Sequence, residues 1–212
     1  MISYLDEQVG DLVSKLKEIG QYENTLIIFT SDNGPTWVDH VDYNFFNSTG
    51  KFINSRRTMK GSVSEGGIRV PMIASWPNKI KPNSKSNHIS AFYDFFETAC
   101  DVAGIENSEK TDGISFYKEM IGEDQKKHDF LYWEYPASGG LQAIRMGKWK
   151  GIKRNLFKGP SKLELYDLSV DEKELNDLSF EYPEIIFELE KKLQKAHSTP
   201  FLKEFIIPSL EL

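Results

Sequence analysis

The stretch Thr25–Phe29 (TLIIF) is a continuous apolar run that leads into the tight turn Thr30–Gly34 (TSDNG). Such a run is typical of a buried strand in a parallel sheet, which delivers polar side chains to its carboxyl end. Open α/β sheets bind their ligands at that edge. Asp32 and Asn33 place two neighbouring oxygen donors there, and hard cations prefer oxygen donors. The stretch therefore predicts an α/β fold with a cation site after this strand.

A second segment, Lys60–Pro71 (KGSVSEGGIRVP), follows soon after and is rich in glycine. Glycine permits close approach of the backbone, and the ammonium group of Lys60 can neutralise negative charge on a bound anion. The two segments together predict a site for a metal ion and a tetrahedral anion. We expect Arg69 to pair with Glu65 or another buried carboxylate rather than to bind the ligand.

The first part of the chain shows the pattern of alternating helices and strands. Apolar residues recur at helical spacing from Leu5 to Ile19 and again from Phe92 to Ala103, and the second helix is predicted to end at Gly104. The run Val70–Trp76 predicts a second buried strand. We therefore assign residues 1–122 to part of an α/β domain with a mostly parallel sheet and flanking helices.

The remainder of the chain has a different pattern. Residues 105–128 are polar, and the predicted boundary falls among them. Short alternating runs follow, separated by turn signals such as Ser138–Gly140 and Lys158–Pro160, which together predict a small antiparallel sheet. Pro183 is suited to the first position of a closing helix. We assign residues 123–212 to a small C-terminal α+β subdomain.

Composition excludes several function classes. The chain of 212 residues is 39% hydrophobic and 27% charged, as in an ordinary globular protein, and its net charge of −6 argues against binding to nucleic acid. No apolar run approaches the roughly 18–20 residues that span a bilayer. The single cysteine, Cys100, excludes an internal disulfide and is expected to be a buried small hydrophobe on a helix face.

The two segments resemble the second half of the sulfatases, specifically the arylsulfatase type of the alkaline-phosphatase-like superfamily. Further motifs of that family follow in the family's order, so the resemblance covers nearly the whole chain. They are Tyr4–Gly10 (YLDEQVG), Trp76–Ile80 (WPNKI), Asp112–Ser115 (DGIS) and Leu165–Leu168 (LYDL).

The resemblance implies hydrolysis of a sulfate ester of a sugar or an aryl alcohol. It implies that Asp32 and Asn33 ligate a calcium ion and that Lys60 is a catalytic residue that contacts the sulfate. The family nucleophile is a formylglycine made from a cysteine or serine in a C/S-x-P/A-x-R motif, which neither Cys100 nor any serine of this chain matches. We therefore expect the nucleophile and the other calcium ligands to belong to an N-terminal half. The chain alone should bind calcium weakly and be inactive.

A long loop, residues 34–59, connects the two segments, and loops of this length in compact domains are usually functional or mobile. Its side chains His40, Asp42 and Phe45 suit sugar recognition, because an aromatic ring packs on the apolar face of a sugar while polar groups bond its hydroxyls. An ordinary surface loop is the alternative interpretation.

The start of the chain adds further expectations. Met1 falls where a sulfatase would be halfway through its catalytic domain, so we expect a truncated product, a fragment, or one half of a split enzyme partnered by an N-terminal half chain. Strand edges and an apolar face should then be exposed, and self-association should follow. The family resemblance implies a periplasmic or secreted location.

Two other functions remain open. One is a non-catalytic remnant that binds glycan or a partner protein. The other is a phosphodiesterase or phosphonate hydrolase of the same superfamily, against which the Glu65–Pro71 pattern and the LYDL segment argue.

Overall fold

The structure is a computed structural model that describes residues 1–37, 45, 50–55 and 58–211. The chain divides into two compact units, one formed by Met1–Thr30 and Pro71–His128 and the other by Ser31–Val70 and Asp129–Leu212. The division at residue 122 stays a prediction. In the structure, the second unit also takes in the segment that carries the predicted site.

The described residues form five α-helices and six β-strands. The helices are α1 (Ile2–Glu18), α2 (Glu65–Ile68), α3 (Asp94–Ala103), α4 (Tyr117–Ile121) and α5 (Pro183–Ala196). The strands are β1 (Ile27–Thr30), β2 (Met72–Ser75), β3 (Leu131–Tyr135), β4 (Leu141–Met146), β5 (Trp149–Lys153) and β6 (Glu164–Asp167). The α/β class predicted from sequence is confirmed.

In the first unit, β1 and β2 form a two-stranded sheet that is antiparallel, with Ile27 opposite Ser75. The expected mostly parallel sheet is therefore not seen in the described residues, in which both sheets are antiparallel. An apolar run specifies a strand but not the direction of its neighbour. The strands are also not buried, because Phe29 is 40% exposed and Ile73 is 63% exposed.

Helices α1 and α3 of the first unit form where they were predicted but bury little, whereas α4 lies in the polar stretch 105–128, where no helix was predicted. Helix α1 has no buried residue, and α3 ends at Gly104 in the left-handed conformation that glycine adopts readily. The apolar residues at the start of α3 remain about half exposed, for example Phe95 at 52% and Phe96 at 53%. Cys100 is half-buried rather than buried. Helical spacing identifies an apolar face but not what covers it.

The second unit contains the predicted antiparallel sheet, in the order β3-β4-β5-β6. Neighbouring residues of a strand point to opposite faces, and two apolar clusters lie on the two faces of β4. Ala143 packs with Val63 of the glycine-rich segment, whereas Ile144 packs with Leu189 and Leu193 of α5. The glycine-rich segment and α5 therefore cover opposite faces of this sheet. Helix α5 begins at Pro183, as predicted.

The structure contains no helix, among the residues it describes, that combines the length and apolar character needed to cross a bilayer.

Candidate functional site

Two backbone hydrogen bonds join the turn after β1 to the glycine-rich segment. The Gly34 N–H donates to the Gly67 carbonyl at 2.9 Å, and the Lys60 N–H donates to the Pro35 carbonyl at 2.9 Å. The two motifs that were singled out in the sequence, 26 or more residues apart in the chain, therefore form one local structure in the second unit.

Glycine is required at this junction because backbones meet there at short range. A side-chain carbon on Gly34 would lie 1.9 Å from the carbonyl oxygen of Gly66. On Gly66 it would lie 2.5 Å from the Thr58 carbonyl oxygen, and on Gly67 it would lie 2.5 Å from that of Ser62. None of these spaces admits a side chain without a backbone shift, so the glycines serve close approach here. The turn is thus held rigidly against the segment that follows Lys60.

Hydrogen bonds within the turn orient Asn33, one of its two candidate ligands. The Asn33 Nδ2 donates to the Gly34 carbonyl at 2.8 Å, and the Ser31 hydroxyl donates to the Asn33 carbonyl at 2.9 Å. Because the amide nitrogen of Asn33 is bonded within the turn, its Oδ1 is left as an acceptor. The carboxylate of Asp32 is exposed beside it. Both are oxygen donors of the kind that calcium takes.

The described residues supply only part of a calcium shell. Calcium takes about six to eight oxygens, whereas the turn offers two side chains. No group of three or more His, Cys, Asp or Glu residues in the described part of the chain could hold a metal ion. Asp32 and Asn33 therefore fit the chemistry of calcium, but two side chains fill only part of its shell.

Lys60 is exposed, and its ammonium group makes no ion pair with any residue that the structure describes. Its backbone is fixed by the bond to Pro35, while the side chain remains available for an anion. Phe45, the described member of the predicted sugar-binding trio, is 77% exposed. His40 and Asp42 lie outside the described residues.

Two family models cover this chain. The model described as sulfatase matches residues 1–105, and the model described as N-sulphoglucosamine sulphohydrolase, C-terminal, matches residues 55–199. The chain belongs to the sulfatase family. The resemblance seen in the sequence is thereby confirmed.

Individual relatives of this sulfatase chain support the same family assignment. An N-acetylgalactosamine-6-O-sulfatase of Bacteroides thetaiotaomicron is 27% identical over 92% of this chain and 41% of its own length. The crystal structure of Ps i-CgsB in complex with k-i-k-neocarrahexaose is 30% identical with a TM-score of 0.75, covering 92% of this chain and 41% of that chain. BT4656, solved with its substrate D-glucosamine-2-N,6-O-disulfate, is 27% identical with a TM-score of 0.69, covering 96% of this chain and 39% of that chain. This sulfatase chain thus spans about two fifths of the length of these relatives.

The sulfatase chain also contains a buried ionic cluster that sequence reasoning missed. Glu65, the first residue of α2, is 2% exposed, and Lys150 on β5 is fully buried. The Lys150 Nζ lies 2.8 Å from a Glu65 carboxylate oxygen and 2.9 Å from one of Glu174. The backbone N–H of Glu65 donates to the Glu174 carboxylate at 3.1 Å. One ammonium group thus ties the start of α2 to the sheet.

Two arginines add to the charge around Glu65. Arg69 approaches its carboxylate at 3.4 Å and Arg145 at 3.5 Å. Burial alone raises the pKa of the Glu65 carboxyl, but the charge and hydrogen bond of Lys150, together with both arginines, outweigh burial and hold the pKa below its usual value. The expected pairing of Arg69 with Glu65 is observed. Arg145 and Lys150 are cross-strand neighbours, but the carboxylate that they share could not be identified from their spacing in the sequence.

Proposed function

We propose that this chain supplies the calcium-ligand and lysine side of a sulfatase active site, which in the complete enzyme hydrolyses the sulfate ester of a sugar. Water and the ester give inorganic sulfate and the free alcohol. The observation that carries the proposal is the pair of backbone bonds that places the Asp32–Asn33 turn and Lys60 in one rigid structure. Their roles follow from the family resemblance and from the chemistry of their side chains.

Asp32 and Asn33 would hold a calcium ion through a carboxylate and an amide oxygen. Calcium, when bound, supplies Lewis-acid polarisation of the sulfate oxygens. The Lys60 ammonium group binds the sulfate and neutralises negative charge that develops as the S–O bond to the alcohol breaks. The glycine contacts keep these groups in place before substrate arrives, so little reorganisation is needed during the reaction.

The remaining parts of the proposal concern what lies beyond this chain. The nucleophile, a formylglycine in the family, and the other calcium ligands would come from an N-terminal half, so the chain alone is inactive. Exposed apolar residues on α1, β2 and α3 support association with such a half or with another copy. A periplasmic or secreted location rests on the resemblance alone.

A sulfated sugar is favoured over an aryl sulfate as the substrate. The relatives named above include an N-acetylgalactosamine-6-O-sulfatase and a protein whose substrate is D-glucosamine-2-N,6-O-disulfate. The shared fold and the local similarity make the same class of substrate the best expectation for this chain.

The test is titration calorimetry of the chain with sodium sulfate in calcium-containing buffer. Lys60→Ala should weaken sulfate binding about tenfold or more, because a hydrogen bond to a charged group contributes about 1.5–3 kcal/mol. The matched control is Lys85→Ala, which removes another exposed lysine and should bind like the wild type. Equal affinity of all three proteins would refute the role of Lys60. Turnover of p-nitrophenyl sulfate by the chain alone would refute its inactivity.

A further inference from the structure

The residue next to Lys60 is attached to the turn between β3 and β4. The Ser138 hydroxyl donates to the Gly61 carbonyl at 2.9 Å. A side-chain carbon on Gly61 would lie 3.7 Å from the Tyr135 phenol oxygen and 3.8 Å from the Ser138 hydroxyl. Tyr135 and Ser138 therefore stand directly against the backbone beside Lys60, although they lie more than 70 residues away in the chain.

This turn is held in place on its other side as well. The N–H groups of Phe157 and Leu156 donate to the carbonyls of Gly139 and Gly140 at 3.0 and 3.1 Å. Ser138 has a φ of +52°, which is uncommon for a residue other than glycine. The turn is therefore a preorganised element, and its position relative to Gly61 does not depend on a ligand.

The two side chains offer the chemistry that a sugar ring needs. Tyr135 is 37% exposed, and no described group hydrogen-bonds its phenol. Its ring presents an apolar surface and its hydroxyl a donor and acceptor. The Ser138 oxygen, which donates to Gly61, still has lone pairs for a sugar hydroxyl. Sugar rings combine apolar C–H faces with hydroxyl groups, so this pair matches them better than it matches a bare sulfate.

We propose that Tyr135 and Ser138 form the sugar-binding side of the site and determine its preference for a sulfated monosaccharide unit over a small sulfate. Tyr135 packs on the sugar ring whose sulfate group Lys60 binds, and the Ser138 hydroxyl oxygen accepts a hydrogen bond from a hydroxyl group of that ring. Gly61 directly follows Lys60 in the chain, so the two side chains contact the backbone one residue from Lys60. This inference rests on the proposed function and names the substrate class of that same site.

The test compares two ligands by titration calorimetry of the full chain in calcium-containing buffer: glucosamine 6-sulfate and inorganic sulfate. Tyr135→Ala should weaken the binding of glucosamine 6-sulfate about 3–10-fold, which is the scale of one aromatic contact. It should leave the affinity for inorganic sulfate unchanged. Tyr135→Phe keeps the aromatic ring and should lose less affinity for glucosamine 6-sulfate than Tyr135→Ala does. The matched control, Tyr4→Ala, removes an exposed tyrosine of α1 and should change neither affinity. Circular dichroism of each variant verifies folding.

The outcomes separate this inference from the proposed function. The inference is wrong if Tyr135→Ala and Ser138→Ala leave glucosamine 6-sulfate binding unchanged while Lys60→Ala weakens both ligands. It is also wrong if Tyr135→Ala weakens both ligands equally, because the turn would then act only through Lys60. If the Tyr135 variants weaken binding of glucosamine 6-sulfate but Lys60→Ala does not, the proposed function is wrong and only the sugar contact is supported. Absence of binding by either ligand at millimolar concentration overturns both.

Discussion

Replacing Lys150 by methionine should strongly destabilise the second unit. Methionine fills a similar volume but brings no charge, and the side chain of Lys150 is fully buried between two carboxylates at 2.8 and 2.9 Å. Removing one partner of a buried ion pair costs about 3–5 kcal/mol, because the remaining charge stays buried without compensation. Glu65 keeps its two arginines, whereas Glu174 keeps no described cation. Because only one of the two carboxylates is left without a cation, we expect a cost at the lower end, about 3 kcal/mol at pH 7.

The cost should shrink as the pH falls. In the wild type, the pKa of Glu65 is held below its usual value, so its contribution to stability is present above pH 4.5 and is lost as the pH drops through the folded-state pKa. In the variant, Glu65 loses the charge and hydrogen bond of Lys150, which oppose the effect of burial, so its pKa rises and its carboxyl takes up a proton at a higher pH than in the wild type. Wild type and variant should thus converge in stability between about pH 7 and pH 4.

Urea denaturation followed by tryptophan fluorescence and circular dichroism measures this difference, at pH 7 and at pH 4.5. The matched control is Lys148→Met on the same hairpin, where the lysine side chain is 51% exposed and pairs with Asp167 at 2.6 Å. This pair has one partner in solvent, so its loss should cost less than loss of the fully buried pair; the exposed limit is about 0–1 kcal/mol. If Lys150→Met costs no more than Lys148→Met at pH 7, or if its cost grows toward acid, the reasoning about the buried cluster is refuted.

Three further changes probe other parts of the structure. Gly34→Ala should destabilise the second unit by at least about 1–3 kcal/mol and weaken sulfate binding, because the methyl would lie 1.9 Å from a backbone oxygen; urea midpoints and calorimetry measure both, and an unchanged midpoint contradicts the close approach. Asp94→Ala should lower the free energy of unfolding by about 2–3 kcal/mol, since the buried carboxylate accepts hydrogen bonds from two backbone N–H groups and bonds His128. Thermal unfolding measures this loss, with the exposed Asp101→Ala as the control. Equal melting temperatures of the two variants would contradict the prediction. His197→Gln should increase deuterium uptake in residues 199–211, because His197 bonds carboxylates on both sides; uptake equal to the wild type would show that the histidine does not hold this segment.

Local signals in the sequence predicted much of the fold. A strand that ends in a turn and short alternating runs are each encoded by neighbouring residues, and these elements form where they were predicted, although β1 is partly exposed rather than buried. The antiparallel pairing of β1 with β2 could not be predicted, because the apolar run Thr25–Phe29 looks the same in a parallel and an antiparallel sheet.

Long-range polar contacts were the main feature that the sequence did not reveal. Lys150 and Glu65 are 85 residues apart, and Glu174 is 109 residues from Glu65. Charged residues in these segments look like the solvated residues found on any surface, and their burial follows from how the glycine-rich segment packs on the sheet. A lysine on an otherwise buried strand was the available hint, since such a lysine needs a partner.

The buried cluster also explains how a small C-terminal sheet can matter to the Asp32–Asn33 turn, which lies outside that sheet. Apolar packing of Val63 on the sheet would tolerate some sliding, and well-packed apolar residues are often as stable as a buried ion pair. An ammonium group shared by two carboxylates instead fixes one position for Glu65. Glu65 is two residues from Gly67, whose carbonyl binds Gly34. The cluster therefore helps to set the position of the turn that carries Asp32 and Asn33, so a change at Lys150 should alter anion binding as well as stability.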